Sequence, residues 1–589
     1  MTKNTSKIKT EWDLELLYKD KDQIPKDIET IKKAFTDFES NWKNRNDYLE
    51  NEQILQEALH DIEALSLITD GCKPLMYYNY RQALNSQDKE AEAALNKLSN
   101  ELMPYFNKCL FFSIKLGKIS KDQQEHFLKA NNLSKYKYFL KVLFNNAQYD
   151  LSEAEEKIMN LKSITSRELW INGSDKILNK QTINFKGKKL PISEASNKVR
   201  ELPTKDRYAL HNLYVQKLVE LSDVAENEIN AIVTDKKVND ELRGFKMPYS
   251  ATILGYQNEE REILNLVETV TKNFSISHRF YKLKSKLLKL KKLKYADRSV
   301  SVGKTTKSIS FNDSYKILQK AFDKADPQFA EILKHFAENG QIDVKPKKGK
   351  TGGAFCSSST GNPTFVLLNH TPSINSAMTF GHEMGHAIHA ELSKSQPILY
   401  QGHTISVAEV ASTLFENFVF DEIFETLSEK EKIVAMHDRL NDDIATIFRQ
   451  IACFNFELEL HTKIREKGAL PKEEIASLMN IHMKKYLGPS VDLTKEDGYF
   501  FVWWSHIRNF FYVYSYAYGQ LISKSLYAEY KKDPKFIEKI KQFLSAGGSK
   551  SPEQIFKEVG IDTTNPNFFE SGLKQIEEDI KKLEKLTAK

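Results

Sequence analysis

Residues 378–392 read Met378-Thr379-Phe380-Gly381-His382-Glu383-Met384-Gly385-His386-Ala387-Ile388-His389-Ala390-Glu391-Leu392. His382 and His386 stand four positions apart, about one helical turn, so both imidazoles can reach one ion from the same face. Glu383 follows the first histidine directly. It can hold a water beside that ion without filling the ion's open position. In a chain of 589 residues with 14 His and 80 Asp+Glu, chance supplies fewer than about 0.05 such H-E-x-x-H patterns. The competing reading is a structural helix that carries two histidines for other reasons.

The flanks favour a helix that begins where the pattern needs it. Pro363 to Asn369 is β-prone, and Thr371, Pro372, Ser373, Asn375 and Ser376 supply turn and cap residues. Met378 to Leu392 then reads as helix. Gly385 weakens that helix, which points to close backbone packing at this position.

A catalytic metal of this kind takes three protein ligands and one open position. A third histidine in the pattern H-E-x-x-H-x-x-G-x-x-H is absent, since residue 389 is His and residue 392 is Leu. Glu409 lies 23 residues beyond His386, within an apolar helical stretch from Ser406 to Asn417. An ionised carboxylate there is costly unless paired or metal-bound. Glu416, about two turns further on, shares that face and can orient a ligand histidine through a hydrogen bond. Either glutamate could instead be the solvated edge of an amphipathic helix. Glu391 is the nearest rival ligand, but its helical phase points it elsewhere. His389 fits packing or a supporting hydrogen bond, because three ligands from one helix rarely suit a tetrahedral ion.

Composition narrows the class. The chain is 40% hydrophobic and 28% charged, with net charge +6. These values describe a globular protein large enough for two or more domains, without the concentrated basic face of a nucleic-acid binder. The Lys-rich run from Lys282 to Lys294 reads as a helix with leucines inward and solvated lysines outward, in preference to a membrane or nucleic-acid surface. Cys72, Cys109, Cys356 and Cys453 are widely spaced, so no disulfide is expected. No secretory leader or membrane-spanning run is apparent, which implies a cytoplasmic protein with no membrane partner.

Residues 1–192 read as an N-terminal helical domain. Its apolar spacing is helical over Ile28 to Trp42, Ile54 to Ile68 and Ala91 to Phe112, and it ends in a short hairpin over Thr182 to Ile192. Residues 193–589 form the expected second, catalytic domain. Glycines from Gly340 to Gly361 break up short β-prone pieces, Ile342 to Val344 and Ala354 to Cys356, beside the metal helix. Phe365 to Asn369 is read as the edge strand of this small sheet, where an extended peptide could add by main-chain hydrogen bonds. An internal strand with no ligand role fits the residues as well. Tyr512, Tyr514, Tyr516 and Tyr518 alternate at period two, which by local rule suggests a strand.

These motifs together resemble the thimet-oligopeptidase family of zinc metallopeptidases, and within it the oligoendopeptidase F branch. His382-Glu383-Met384-Gly385-His386 resembles the family's metal helix. Ala408 to Thr413 with Glu416 resembles the segment that supplies the third ligand. Gly352-Gly353-Ala354-Phe355-Cys356 with Pro363 to Asn369 resembles its Gly-rich lead into an edge strand. His506 with Phe511 to Ala517 resembles its late aromatic signature. Glu11-Trp12-Asp13-Leu14 and Ala546 to Ser549 resemble the branch's two ends. Tyr518-Gly519 and Asn509 fit loosely.

The resemblance implies a mostly α, zincin-type metallopeptidase, with many helices, a small sheet beside the metal helix and a deep enclosed cleft. It implies one Zn²⁺ per chain on His382, His386 and Glu409, with Glu416 behind a ligand. Glu383 would activate water for hydrolysis of internal bonds in short peptides. His506, Tyr514 and then Tyr512 are the implied oxyanion donors, and Gly353, Ala354, Phe365 and Leu367 the implied peptide contacts. The same resemblance turns the tyrosine run into a loop that leads into a helix. A metallo-exopeptidase, or a non-catalytic peptide-binding protein with structural zinc, could share the metal pattern.

Overall fold

Ser373 starts the helix that carries the motif: its hydroxyl accepts a hydrogen bond from the Ser376 backbone N–H at 3.1 Å. In the computed structural model, which describes residues 8–305 and 307–588, this helix runs over Ile374–Ser393. Helix accounts for 72% of the fold and strand for 3%, so the strands serve as local devices and not as a scaffold.

The chain forms two compact units, each discontinuous in sequence. The first contains residues 8–154, Lys307–Thr426 and Leu526–Ile561; the second contains residues 155–305, Leu427–Ser525 and 562–588. The first break therefore falls at Ala154, ahead of the expected boundary at 192. The helix and hairpin between these points pack with the second unit. Hydrophobic periodicity marks helices but not which distant partner covers them.

In the first unit, helices Gln23–Trp42 and Glu52–Thr69 bury Phe35, Phe38, Trp42, Leu55 and Leu59 in one core with Phe111 and Phe112. The expected helix over Ala91 to Phe112 is two helices, Lys89–Phe106 and Leu110–Gly117. Pro104, which removes a backbone donor, sits in the last turn of the first.

Three short strands lie beside the motif helix: β1 (Ile342–Asp343), β2 (Phe355–Ser357) and β3 (Phe365–Leu367). Their order is β1-β3-β2, with β3 parallel to β1 and antiparallel to β2. The expectation that Phe365 to Asn369 forms the edge is thus corrected: β3 is central and buried throughout, and the edges are β1 and β2. Trp12 locks the sheet from the N-terminal side. Its indole Nε1–H donates to the Val366 carbonyl at 2.8 Å, and its ring meets those of Tyr80, Phe355 and Phe365. Lys350 and Asp343 close the other end as a fully buried pair at 2.6 Å.

The motif helix, α1 (Ile374–Ser393), packs along α2 (Ile405–Phe424). Glycines on α1 make this approach possible. A Cβ on Gly385 would stand 2.8 Å from Ser412 Cα and 3.1 Å from the Ala411 carbonyl oxygen; one on Gly381 would stand 2.8 Å from Val419 Cγ2.

In the second unit, Thr182–Phe185 and Lys188–Pro191 form the expected antiparallel hairpin. The Lys-rich run departs from expectation at one position. Lys282, Lys286, Lys289 and Lys291 are exposed, but Lys284 is buried and donates to Asn441 Oδ1 at 2.7 Å and to the Arg298 carbonyl at 2.8 Å. Burial lowers its pKa to about 7. Tyr514–Lys532 is a helix, so the period-two tyrosine pattern does not mark a strand.

Gly385→Ala adds a methyl group against backbone that cannot move aside. The helix-propensity gain of about 1 kcal/mol is smaller than the overpacking cost of about 1–3 kcal/mol. The apparent melting temperature is expected to fall; a rise would show that the two helices do not depend on this contact.

Candidate metal centre

Helices α1 and α2 bring three side chains together. One ligand atom from each of His382, His386 and Glu409 lies within 4.8 Å of the other two, the single such grouping among the described residues. His382 Nε2 is 3.8 Å from Glu409 Oε2, and the two imidazole rings are 4.9 Å apart at 81°. On its other nitrogen, His382 Nδ1 meets Glu416 Oε1 at 2.5 Å. That bond fixes the ring and leaves Nε2 for an ion. The donor set, two imidazoles and a carboxylate, suits zinc and leaves room for a fourth ligand.

The electrostatics match a site built for a cation. Burial pushes the Glu383 carboxyl up to about 7, with Glu409 and Glu416 adding repulsion against the opposing charge of His382. Burial likewise raises Glu409. For His382, burial opposes the charged form, but the Glu416 hydrogen bond and the charges of Glu416, Glu383 and Glu409 outweigh it, and the ring rises to about 9. Burial and the charge of His382 hold His386 well below its ordinary value, neutral and ready to ligate. Glu383 also takes a hydrogen bond from the Cys356 backbone on edge strand β2.

The rival ligands are occupied elsewhere. Glu391 accepts from Thr364 Oγ1 at 2.8 Å and pairs with Lys394 at 2.7 Å. His389 is fully buried and stacks on His403, ring centres 3.8 Å apart at 16°. The Cys356 thiol is pushed well up by burial and by the charges of Glu383 and Glu391, which disfavours its thiolate. All four cysteines are free thiols.

Of the implied peptide contacts, Phe365 and Leu367 are wholly buried on central strand β3, against Trp12 and Tyr80. They support the sheet and do not face a peptide. Gly353 and Ala354 lead directly into edge strand β2. Gly353 has φ +76°, and its carbonyl accepts from Asn369 Nδ2 at 2.8 Å.

His506, Tyr512 and Tyr514 belong to the second unit. The Tyr512 hydroxyl meets His506 Nδ1 at 2.6 Å and the Tyr516 hydroxyl at 3.3 Å. Burial, then the charge of Arg449, lowers His506 to about 4, so the ring is neutral near pH 7. Tyr514 is fully buried and its hydroxyl donates to Asn258 Oδ1 at 3.0 Å, which leaves it no free proton. Tyr516 was not among the expected residues. Its spacing of four from Tyr512 is the signal, hidden by the period-two tyrosine run.

A strained turn sets this group. Phe510 and Phe511 both have positive φ, 33° and 62°, which is costly for residues with a side chain. The Phe511 N–H donates to the buried Glu457 carboxylate at 2.6 Å, and Thr252 Oγ1 donates to the Phe510 carbonyl at 2.9 Å. Just before the turn, buried Arg508 pairs in a fork with Glu228 at 3.0 and 2.8 Å.

A helical fold with a histidine–histidine–glutamate site and a buried glutamate beside it defines a metallopeptidase. The sequence profile of peptidase family M3 matches residues 210–575, and that of the oligopeptidase F N-terminal region matches residues 115–179. The chain belongs to peptidase family M3. It is similar to oligopeptidase PepF of Bacillus subtilis, 28% identical over 79% of this chain and 71% of that protein. It is also similar to an oligoendopeptidase F homologue of Borreliella burgdorferi, 24% identical over 97% and 98%. The fold matches that of oligoendopeptidase-F from Enterococcus faecium with a TM-score of 0.69, 17% identity, and 96% and 98% of the two chains covered. Among the described residues no helix is long and apolar enough to cross a membrane.

Two outcomes are expected. Glu416→Ala should weaken metal affinity by about 10–100-fold, measured by chelator competition; unchanged affinity would free Glu416 of its part in holding His382. For Glu457, burial raises the folded pKa from 4.5 to about 8. The folded state therefore keeps this proton more tightly than the unfolded chain, and stability falls as pH rises from 4.5 to 8. Glu457→Gln keeps the acceptor for Phe511 and removes the charge. Its gain in melting temperature over the unaltered protein should grow from pH 5 to pH 8 and then level off. A gap independent of pH would contradict this assignment.

Proposed function

We propose that this chain is a zinc-dependent endopeptidase that hydrolyses internal bonds of short peptides. The observation that carries the reading is the buried Glu383 carboxylate beside the His382–His386–Glu409 cluster, because a purely structural metal site needs no base. Membership of family M3 and the names of the relatives, oligopeptidase and oligoendopeptidase, support it.

One zinc per chain, held by His382, His386 and Glu409, would supply the Lewis acid that polarises the scissile carbonyl. Glu383 accepts a proton from the attacking water and passes it to the leaving amine. Glu416 keeps His382 in the tautomer that presents Nε2. The resemblance assigns His506 and Tyr512 as donors to the developing oxyanion. In the tautomer where His506 Nδ1 accepts from Tyr512, Nε2 keeps its proton and can donate it. Tyr516 buttresses Tyr512, and Tyr514 moves from donor to core. Gly353, Ala354 and the edge strand β2 are the proposed main-chain partners of an extended peptide.

Membership of family M3 and the relatives' names, oligopeptidase and oligoendopeptidase, support peptides as partners; a cytoplasmic site of action without membrane or nucleic-acid partners is part of the same proposal.

Glu383→Gln should fold and retain metal while turnover falls by about 10²–10⁴-fold or more. Mass spectrometry of a mixed short-peptide pool reads this directly. Internal cuts by the unaltered protein alone support the reading. Residues released only from one end would make it an exopeptidase, and equal cleavage by the variant would remove Glu383 as the base.

A further inference from the structure

In the second unit three guanidinium groups gather, with Asp442 the one carboxylate whose charge acts on Arg200. The Arg298 guanidinium lies 3.9 Å from the centre of the Tyr295 ring and 5.4 Å from that of Phe500. Phe500 packs on Trp504 at 5.4 Å, and Trp504 carries the Arg449 guanidinium 5.7 Å from its ring. Trp504 also touches His506, ring centres 5.9 Å apart. A run of rings thus ties Arg298 to Arg449 and both to His506. Arg200 belongs to the same group: burial and then the charges of Arg298 and Arg449 lower its pKa, opposed by Asp442.

Among the described residues none of these three arginines forms an ion pair, and the Nε atoms of Arg298 and Arg449 are buried with no hydrogen-bond partner. Ring stacking orients two of them, with a further hydrogen bond from Arg298 Nη1 to the Tyr295 carbonyl at 3.0 Å, and three like charges share the one opposing carboxylate of Asp442. Arg449 also closes a π-helical segment, Ile444–Arg449, between two α-helices. Such turns are uncommon and concentrate at functional sites.

We propose that Arg200, Arg298 and Arg449 form a subsite for a carboxylate of the bound peptide, either its C-terminal group or an acidic side chain. A planar guanidinium fork matches a carboxylate in two parallel hydrogen bonds, and the Tyr295, Phe500 and Trp504 rings keep water from one side of it. Arg200 is exposed, and Arg298 and Arg449 are half-buried with their Nε atoms covered, so a ligand would meet their terminal nitrogens and the whole of the Arg200 fork. This inference rests on the peptidase reading, because it takes a peptide as the ligand.

The test measures binding to the metal-loaded Glu383→Gln protein, which does not require turnover. One sequence free of acidic residues is used as the C-terminal acid, as the amide, and as the amide with one Asp introduced. The acid is expected to bind about tenfold more tightly than the amide, one charge-assisted pair being worth about that factor. Recovery of affinity in the Asp-bearing amide would identify a side-chain carboxylate as a second ligand. Arg449→Met and Arg200→Gln should each erase the preference and leave binding of the plain amide nearly unchanged. Arg200 is at the surface, so Arg200→Gln carries the test should Arg449→Met fail to fold. Equal binding of all three peptides, or a preference that survives both substitutions, overturns the proposal. A preference that holds while the unaltered enzyme cleaves no peptide would instead overturn the peptidase reading and leave the subsite standing.

Discussion

The metal centre depends on how closely two helices approach. His382 and His386 on α1 can meet Glu409 on α2 only if the backbones nearly touch, and Gly381 and Gly385 are what permit this. Glycine costs a helix about 1 kcal/mol relative to alanine. Here that loss is offset by burial of Val410, Ala411, Leu414 and Phe415 on α2 and of Phe380, Met384 and Ile388 on α1, two helices that pack along each other. Phe415 also packs edge-on against Phe322 and Phe329, which fixes the rotation of α2. With that rotation set, Glu409 and Glu416 both face His382.

Burying three carboxylates near one another is unfavourable unless a positive charge joins them. Without an ion, His382 takes that part, and its raised pKa records the pull of Glu416, Glu383 and Glu409. A divalent cation would do the same work more strongly and would reverse the upward pressure on Glu383 and Glu409. The backbone of Cys356 on edge strand β2 lowers the Glu383 carboxyl slightly, against the larger effect of burial. Trp12, some 330 residues away in the chain, holds that sheet in place.

What could be read in the sequence follows from how local each signal is. The spacing of His382, Glu383 and His386 is a property of one helix, and Glu409 stands out because a charge sits in an apolar stretch. Strand order is different. Phe365, Val366 and Leu367 look alike whether they form an edge or a centre, and only pairing with Ile342–Asp343 decides it. Lys284 is indistinguishable from its neighbours in a lysine-rich run, yet its ammonium finds Asn441 and a carbonyl inside the second unit. Tyr512 to Tyr518 misled by periodicity, because the first tyrosine precedes the helix and the others lie within it. Tyr514 and Tyr518 are then buried, with hydroxyls bound to Asn258 and Glu262, while Tyr512 and Tyr516 stay half-exposed beside His506.

The second unit stores strain where it presents polar groups. Two consecutive phenylalanines in the left-handed region cost of order 1–3 kcal/mol each, so the surroundings must over-determine the turn. Glu457 does so from below by accepting the Phe511 N–H, Thr252 by binding the Phe510 carbonyl, and the Arg508–Glu228 pair by fixing the preceding turn. A buried, raised carboxyl such as Glu457 is itself costly when charged. Its hydrogen bond from the Phe511 N–H holds the turn that directly precedes Tyr512. The same segment carries Phe500 and Trp504, the rings that hold Arg298 and Arg449. One strained stretch of chain therefore sets the position of the neutral imidazole and of the neighbouring cationic group together. A substrate that bridged the two would sense any change in that turn as a loss of both.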